Sequence, residues 1–210
     1  MLTFQTFALG ALATNAYVVT DASRKHAIVI DPGTADPALL RKLDGYEKVE
    51  AVLLTHAHFD HIGGVEVVRK RYGCPVYIHA NEQDWLVDPV KNGSANWPDI
   101  TPPIAGAAPE QLVADGDELH LLGTTFRVLF TPGHSPGSVS YLCGDLLFAG
   151  DALFRRSIGR TDLAFGSFEQ LARSIRDKLY VLPDDTLVLP GHGPETTIGE
   201  EKRENPFVQA

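Results

Sequence analysis

Sulfur is scarce in this chain: two cysteines, Cys74 and Cys143, and one methionine occur in 210 residues. The cysteines lie far apart and form no C-x-x-C pair, so nothing requires an oxidising compartment and a cytoplasmic location is expected. No apolar run approaches the length of a membrane span, and no membrane partner is expected. The mostly apolar stretch from Phe7 to Val19 has no Lys or Arg ahead of it and contains Asn15. It lacks the basic leader of a signal peptide and reads instead as two strands. Basic residues are also in short supply, with 18 Lys and Arg against 27 Asp and Glu, a formal charge of −9. Such a chain repels phosphate backbones, which argues against a nucleic-acid partner. The densest early basic run, Arg69-Lys70-Arg71, reads as the solvated face of a helix. Any attraction for an anionic substrate must therefore be local.

What is present is an ordinary globular composition, 44% hydrophobic and 21% charged. The length suits one domain, taken as residues 1–210, able to bury a core without staples. Residues 14–20 and 26–31 read as strands, the second running into Asp-Pro-Gly. Asp36-Pro37 opens a helix, with Asp as cap, Pro at the first helical position and Leu39, Leu40 and Leu43 on its apolar face. Residues 51–55 (AVLLT) form a buried strand, and Ile62, Val65, Val68 and Tyr72 then recur at helical spacing. From 117 to 149 the segments DELHLL, TTFRVLF, SVSYLC and LLFAG form a strand meander. Ser167 caps the next helix and Gln170 completes a capping box, with Phe168, Leu171, Ala172, Ile175 and Leu179 facing inward. TLVLP at 186–190 is the last strand, and a short charged helix follows. Both halves thus give strands and then helices, consistent with two sheets covered by outer helices, an α/β (α+β) class. Residues 88–110, with five prolines and Trp97, read as a long loop. It is either a lid or binding loop or a tolerated insertion.

The chemistry concentrates in one heptapeptide, Thr55-His56-Ala57-His58-Phe59-Asp60-His61, directly after the buried strand. Imidazole and carboxylate suit zinc and similar first-row ions. Crowding three histidines and an aspartate together brings no folding benefit, and their repulsion when protonated is a cost. His134, Asp151 and His192 share a positional logic: a strand ends, a glycine turns the chain, and a ligand-type residue appears. Functional side chains commonly collect at one end of a sheet scaffold. Convergence of these strand ends gives five His and two Asp, enough for two metals. His26, His79 and His120 have no such context and read as ordinary histidines.

The run T-H-A-H-F-D-H resembles the H-x-H-x-D-H signature of the metallo-β-lactamase superfamily, and Asp31, His134, Asp151 and His192 match its other motifs in order. The resemblance implies a four-layer αββα sandwich with the metals at one edge. It also implies that His56, His58 and His134 hold one metal, that Asp60, His61 and His192 hold the other, and that Asp151 bridges both. Asp31 matches a position that supports the ligands from behind, where a carboxylate can fix an imidazole's tautomer.

Leu153-Phe154, Gly159-Arg160-Thr161-Asp162 and Pro190-Gly191-His192-Gly193-Pro194-Glu195-Thr196 are most similar to the hydroxyacylglutathione hydrolase (glyoxalase II) branch. The chain ends 18 residues after His192, without the C-terminal helical region that supplies basic contacts to glutathione in full-length members. Arg155, Arg156, Arg160, Lys202 and Arg203 are the candidates for that role. The resemblance implies a binuclear metallohydrolase acting on a thioester such as S-lactoylglutathione. A metal-activated hydroxide, flanked by Asp60 and Asp151 as the catalytic carboxylates, would attack the carbonyl. Zinc is the first expectation for both sites, with iron or manganese as alternatives. The small-molecule thioester is the expected partner, and a homo-oligomer is left open. Two rivals stand beside this reading: a mononuclear iron persulfide dioxygenase of the same fold, and a non-catalytic metal-binding protein.

Overall fold

A computed structural model describes residues 2–210. The chain falls into two compact units. The first runs to Val113 and takes in His120–Thr124; the second comprises Ala114–Leu119 and Thr125–Ala210.

The first unit is built on a six-stranded sheet in the order β1-β2-β3-β4-β5-β6. Its elements are β1 (Thr3–Leu9), β2 (Thr14–Thr20), β3 (His26–Ile30), α1 (Pro37–Leu43), β4 (Lys48–Leu53), α2 (Phe59–Ile62), α3 (Val65–Tyr72), β5 (Val76–His79) and β6 (Gln111–Val113). The stretch read as two strands is the β1-β2 hairpin, and β2-β3 is also antiparallel. From β3 to β6 the pairing is parallel. Parallel neighbours need crossovers, which α1 and then α2 with α3 supply. Asp36 caps α1 as expected, its carboxylate accepting from the N–H groups of Ala38 and Leu39, with Pro37 at the first helical position. Strands covered on both faces read as continuous apolar runs, and β3 (HAIVI) is buried over four of its five residues. Val29, Leu39, Leu43, Val52, Val68 and Ile78 meet in this unit's core.

The second sheet has the order β14-β13-β10-β9-β8-β7. It is formed by β7 (Glu118–Leu121), β8 (Thr124–Phe130), β9 (Val139–Cys143), β10 (Leu146–Gly150), β13 (Leu187–Pro190) and β14 (Thr196–Thr197). A two-stranded ribbon, β11 (Leu153–Phe154) with β12 (Ser157–Ile158), and the helices α4 (Phe168–Ser174) and α5 (Ile198–Glu204) complete the unit. β8-β9 and β9-β10 are antiparallel and β10-β13 is parallel, so β8, β10 and β13 all point the same way. Leu147, Leu171, Ile175, Leu179, Val188 and Ile198 form its core.

Two details of α4 correct the sequence reading. Ser167 does cap the helix, its Oγ accepting from Gln170 N–H. The reciprocal half of the capping box falls to Gly133, whose carbonyl accepts Ser167 N–H at 2.7 Å. Phe168 does not face inward but is half exposed. It sits at the first helical position, at the open end of the helix and one turn before the buried pair Leu171 and Ala172. The helix then widens into a π turn over Ile175–Leu179. Cys74 and Cys143 are both buried and form no disulfide. Among the described residues no helix is long and apolar enough to cross a membrane.

Candidate metal centre

In the first unit, strand direction brings the candidate residues together. β3 and β4 run in parallel with Ile30 opposite Leu53, so Asp31 and the His56 loop leave the sheet at the same edge. Asp31 takes a left-handed backbone, with φ of 49°, which costs a non-glycine residue about 1–2 kcal/mol. Its buried carboxylate is fully occupied: Oδ1 accepts Thr55 N–H at 2.8 Å, and Oδ2 accepts the Thr55 hydroxyl at 2.6 Å and faces His61 Nδ1 at 3.0 Å. A carboxylate at Nδ1 keeps the proton there and turns Nε2 outward as a lone-pair donor, the arrangement of a metal-binding imidazole.

Around this anchor the heptapeptide folds tightly. The ring centroids of His56 and His61 are 4.1 Å apart and those of His56 and His58 are 4.8 Å apart. One donor atom each from Asp31, His56 and His61 lies within 4.8 Å of the others. Asp60 Oδ2 accepts the Thr14 hydroxyl at 2.8 Å and stands 3.5 Å from His61 Nε2. Backbone packs directly on backbone here. A Cβ on Gly33 would lie 2.0 Å from Asp60 O, and one on Gly63 would lie 2.4 Å from Gly33 O. Only glycine permits so close an approach.

The 82–104 region holds the same loop from its other side. Glu82, fully buried, accepts Ala57 N–H at 2.6 Å. Asn92 O accepts Phe59 N–H at 3.0 Å, and the rings of His58 and Trp85 are 5.7 Å apart. Asn92 is the hub of the long loop. Its amide donates to the carbonyls of Trp85 and Ile104, while its Oδ1 accepts Ser94 N–H. Ser94 Oγ in turn accepts Ile104 N–H at 2.8 Å. Thus much of the loop at 88–110 is internally tied, and it braces the histidine run. Thr14, Glu82 and Asn92 were not singled out from sequence. Nothing in A-N-E-Q or K-N-G-S separates them from solvated side chains.

The second unit repeats the logic. Because β8, β10 and β13 share one direction, His134, Asp151 and His192 all follow strand ends at one edge. Gly191 N–H donates to Gly150 O at 2.8 Å, setting the turns that carry Asp151 and His192 side by side. Asp151 Oδ2 stands 3.5 Å from His134 Nε2 and 3.5 Å from His192 Nε2. That exceeds a good hydrogen bond, but two ligands about 2.1 Å from one tetrahedral ion sit about 3.4 Å apart. His134 Nδ1 faces the carbonyl of Arg160 at 2.8 Å, which again turns Nε2 outward as the donor. Gly159 passes so close behind that its Cβ would meet Asp151 O at 1.8 Å. The ring of Phe154 meets the ring of His192 edge-on, centroids 6.1 Å apart.

The basic residues named from sequence all belong to this unit. Arg155 and Arg156 both approach Glu200, Arg160 pairs bidentately with Asp162, and Lys202 pairs with Asp184 at 2.6 Å. The Arg160 guanidinium holds the Asp162 carboxyl down at about 2. Arg203 is exposed.

The donor chemistry fits divalent metal: imidazole nitrogens with their far nitrogens anchored, and carboxylates beside them. A family model for the metallo-β-lactamase superfamily matches residues 9–192. The chain is 44% identical to the probable metallo-hydrolase YqgX of Bacillus subtilis, covering 95% of this chain and 94% of that one. It is 33% identical to the hydroxyacylglutathione hydrolase GloC of Haemophilus influenzae, covering 95% of each. Among solved structures it superposes on the BLEG-1 B3 metallo-β-lactamase with a TM-score of 0.92 at 46% identity, over 99% of this chain and 100% of that one. TTHA1623 in a di-iron-bound form gives a TM-score of 0.81 at 38% identity, over 97% and 100%. ETHE1 from Myxococcus xanthus gives 0.79 at 34%, over 97% and 83%. With two mixed sheets, their helices and the matched motif residues, the chain belongs to the metallo-β-lactamase superfamily.

Proposed function

We propose that His56, His58, Asp60 and His61 of the first unit and His134, Asp151 and His192 of the second hold two divalent metal ions, and that the chain hydrolyses thioesters. The observation that carries the reading is Asp151 Oδ2 standing 3.5 Å from two imidazole nitrogens, His134 Nε2 and His192 Nε2, the place of a carboxylate shared between ions. Its complement is the His56 to His61 run, braced by Asp31 and Glu82. In this reading His56, His58 and His134 take one ion and Asp60, His61 and His192 the other. The likeness to TTHA1623, whose structure holds two irons, supports the count of two. It also keeps iron beside zinc as occupant.

Bound divalent metal supplies a water acidic enough to ionise near neutral pH and polarises a substrate carbonyl. The chain's own residues do the positioning. Asp31 holds the Nδ1 proton of His61, the Arg160 carbonyl holds that of His134, and the Thr14 hydroxyl donates to Asp60 Oδ2 and so orients that carboxylate. A thiol leaving group, with an intrinsic pKa of about 8.5, departs with less help from a general acid than an amine does, which favours a thioester over an amide. The likeness to GloC supports a hydroxyacylglutathione thioester as substrate. The BLEG-1 likeness supports β-lactams as a second class to be assayed.

The test is elemental analysis of purified protein coupled to a substrate panel of S-lactoylglutathione, other thioesters and nitrocefin. Two metals per chain, thioester turnover, its loss on chelation and its return with Zn²⁺, Mn²⁺ or Fe²⁺ are expected. Turnover that survives thorough metal removal overturns the proposal, as does a fully loaded protein inert to every thioester. One iron per chain with oxygen uptake on glutathione persulfide would establish the dioxygenase instead.

A further inference from the structure

The first unit contains a cavity of about 280 Å³ that, of the proposed metal ligands, only Asp60 lines. Asp60 forms part of its wall, between Phe59 and Gly63. The rest comes from the β1-β2 turn (Leu9 to Leu12), from Gly33 and Thr34, and from the stretch Ile100 to Ile104 of the long loop. Its walls are mainly apolar, set by Leu9, Leu12, Phe59, Ile100, Pro102 and Ile104. No Lys or Arg is among its lining residues, and Asp60 is its one ionisable group.

Three features mark it as a built site. Backbone packing holds its floor rigid, since Gly33 and Gly63 admit no side chain. The loop wall is fixed through Ile104, whose carbonyl accepts from Asn92 and whose N–H donates to Ser94. At the rim, Leu12 and Ile100 are 43% and 38% exposed, large apolar side chains that face water. Exposed apolar side chains that converge on a concave, largely pre-formed site are the usual signature of a small-ligand pocket.

We propose that this cavity is an acyl pocket that takes the unbranched apolar arm of a thioester while the carbonyl lies toward Asp60. The inference rests on the thioesterase reading for the identity of its occupant and deepens it by naming the acyl class. At roughly 30 Å³ for each water-sized group, the volume of about 280 Å³ takes about nine groups, enough for a chain of eight carbons. The absence of a basic lining residue leaves acyl groups that carry a distal negative charge no partner.

The experiment compares acetyl, butanoyl, hexanoyl and octanoyl thioesters of one thiol carrier on the metal-loaded protein, and then on Ile100→Trp and Leu12→Ala. Each buried methylene is worth about fourfold, so kcat/KM should climb by about that factor per carbon through the series to octanoyl. Ile100→Trp, a rim substitution that fills the cavity without disturbing the core, should flatten the climb to below about twofold per methylene, and Leu12→Ala should lower it. A series that is flat or falling in the parent protein overturns the pocket, and so does a slope that Ile100→Trp leaves intact. If no thioester is cleaved at all, the thioesterase reading fails by itself. The pocket is then judged by calorimetric binding of butanoate, hexanoate and octanoate: the same gain per carbon, lost in Ile100→Trp, sustains it, and chain-independent affinity refutes it.

Discussion

Asp31 Oδ2 lies 3.0 Å from His61 Nδ1, joining the end of one parallel strand to the helix that follows its neighbour. The same carboxylate holds Thr55 through both backbone and hydroxyl. Asp31 therefore positions the histidine run without being one of the proposed ligands. Replacing Asp31 with Ala should weaken metal binding by about 10–100-fold, the usual loss when a partner behind a ligand is removed. Competition against a graded chelator series measures this directly. Unchanged affinity would remove Asp31 from the design of the site.

Glu82 offers a contrast between charge and hydrogen bonding. Glu82→Ala leaves the buried Ala57 N–H without its acceptor, which should cost about 1–3 kcal/mol in urea unfolding. Glu82→Gln keeps an acceptor in place and should recover most of that loss. Equal destabilisation by both variants would show that the negative charge, not the acceptor, is what Ala57 requires.

The glycines can be separated by the same means. Gly63→Ala places a methyl group 2.4 Å from the Gly33 carbonyl, backbone against backbone, and should destabilise by about 3 kcal/mol or more. Gly73 caps α3 with φ of 63° and has nothing within 4 Å of its would-be Cβ, so Gly73→Ala should cost only about 1 kcal/mol, for conformation alone. Denaturant midpoints for the pair report the difference, and metal affinity should fall only for Gly63→Ala.

Burial pushes the Cys74 thiol up to about 11. In the folded protein it stays protonated, while an unfolded thiol ionises near 8.5 to 9. The unfolded state thus binds fewer protons between those values, and stability should begin to decline as pH rises past about 9. At pH 8 iodoacetamide should leave Cys74 unmodified in native protein and alkylate it in urea, read by mass spectrometry. Rapid native labelling of Cys74 would contradict its burial.

Local signals fix much of this molecule before any folding is considered. Asp36-Pro37 starts α1, the apolar run in β3 requires cover on both faces, and the crowding of imidazoles and a carboxylate in His56 to His61 is donor chemistry that suits divalent metal. Each of those follows from neighbours within a few residues. What only the tertiary structure decided has another cause: partners distant in sequence meet through strand direction and backbone contact. Parallel pairing of β3 with β4 carries Asp31 to His61, and parallel pairing of β10 with β13 sets Asp151 beside His192. Glu82 beneath Ala57, Asn92 as the hub of the long loop, and Gly133 in place of Gln170 at the α4 cap are choices of packing. A carboxylate, an amide or a carbonyl finds its acceptor or donor only once the chain has closed around it, because a hydrogen bond is selected by proximity in space and leaves no periodic trace in the residues that make it.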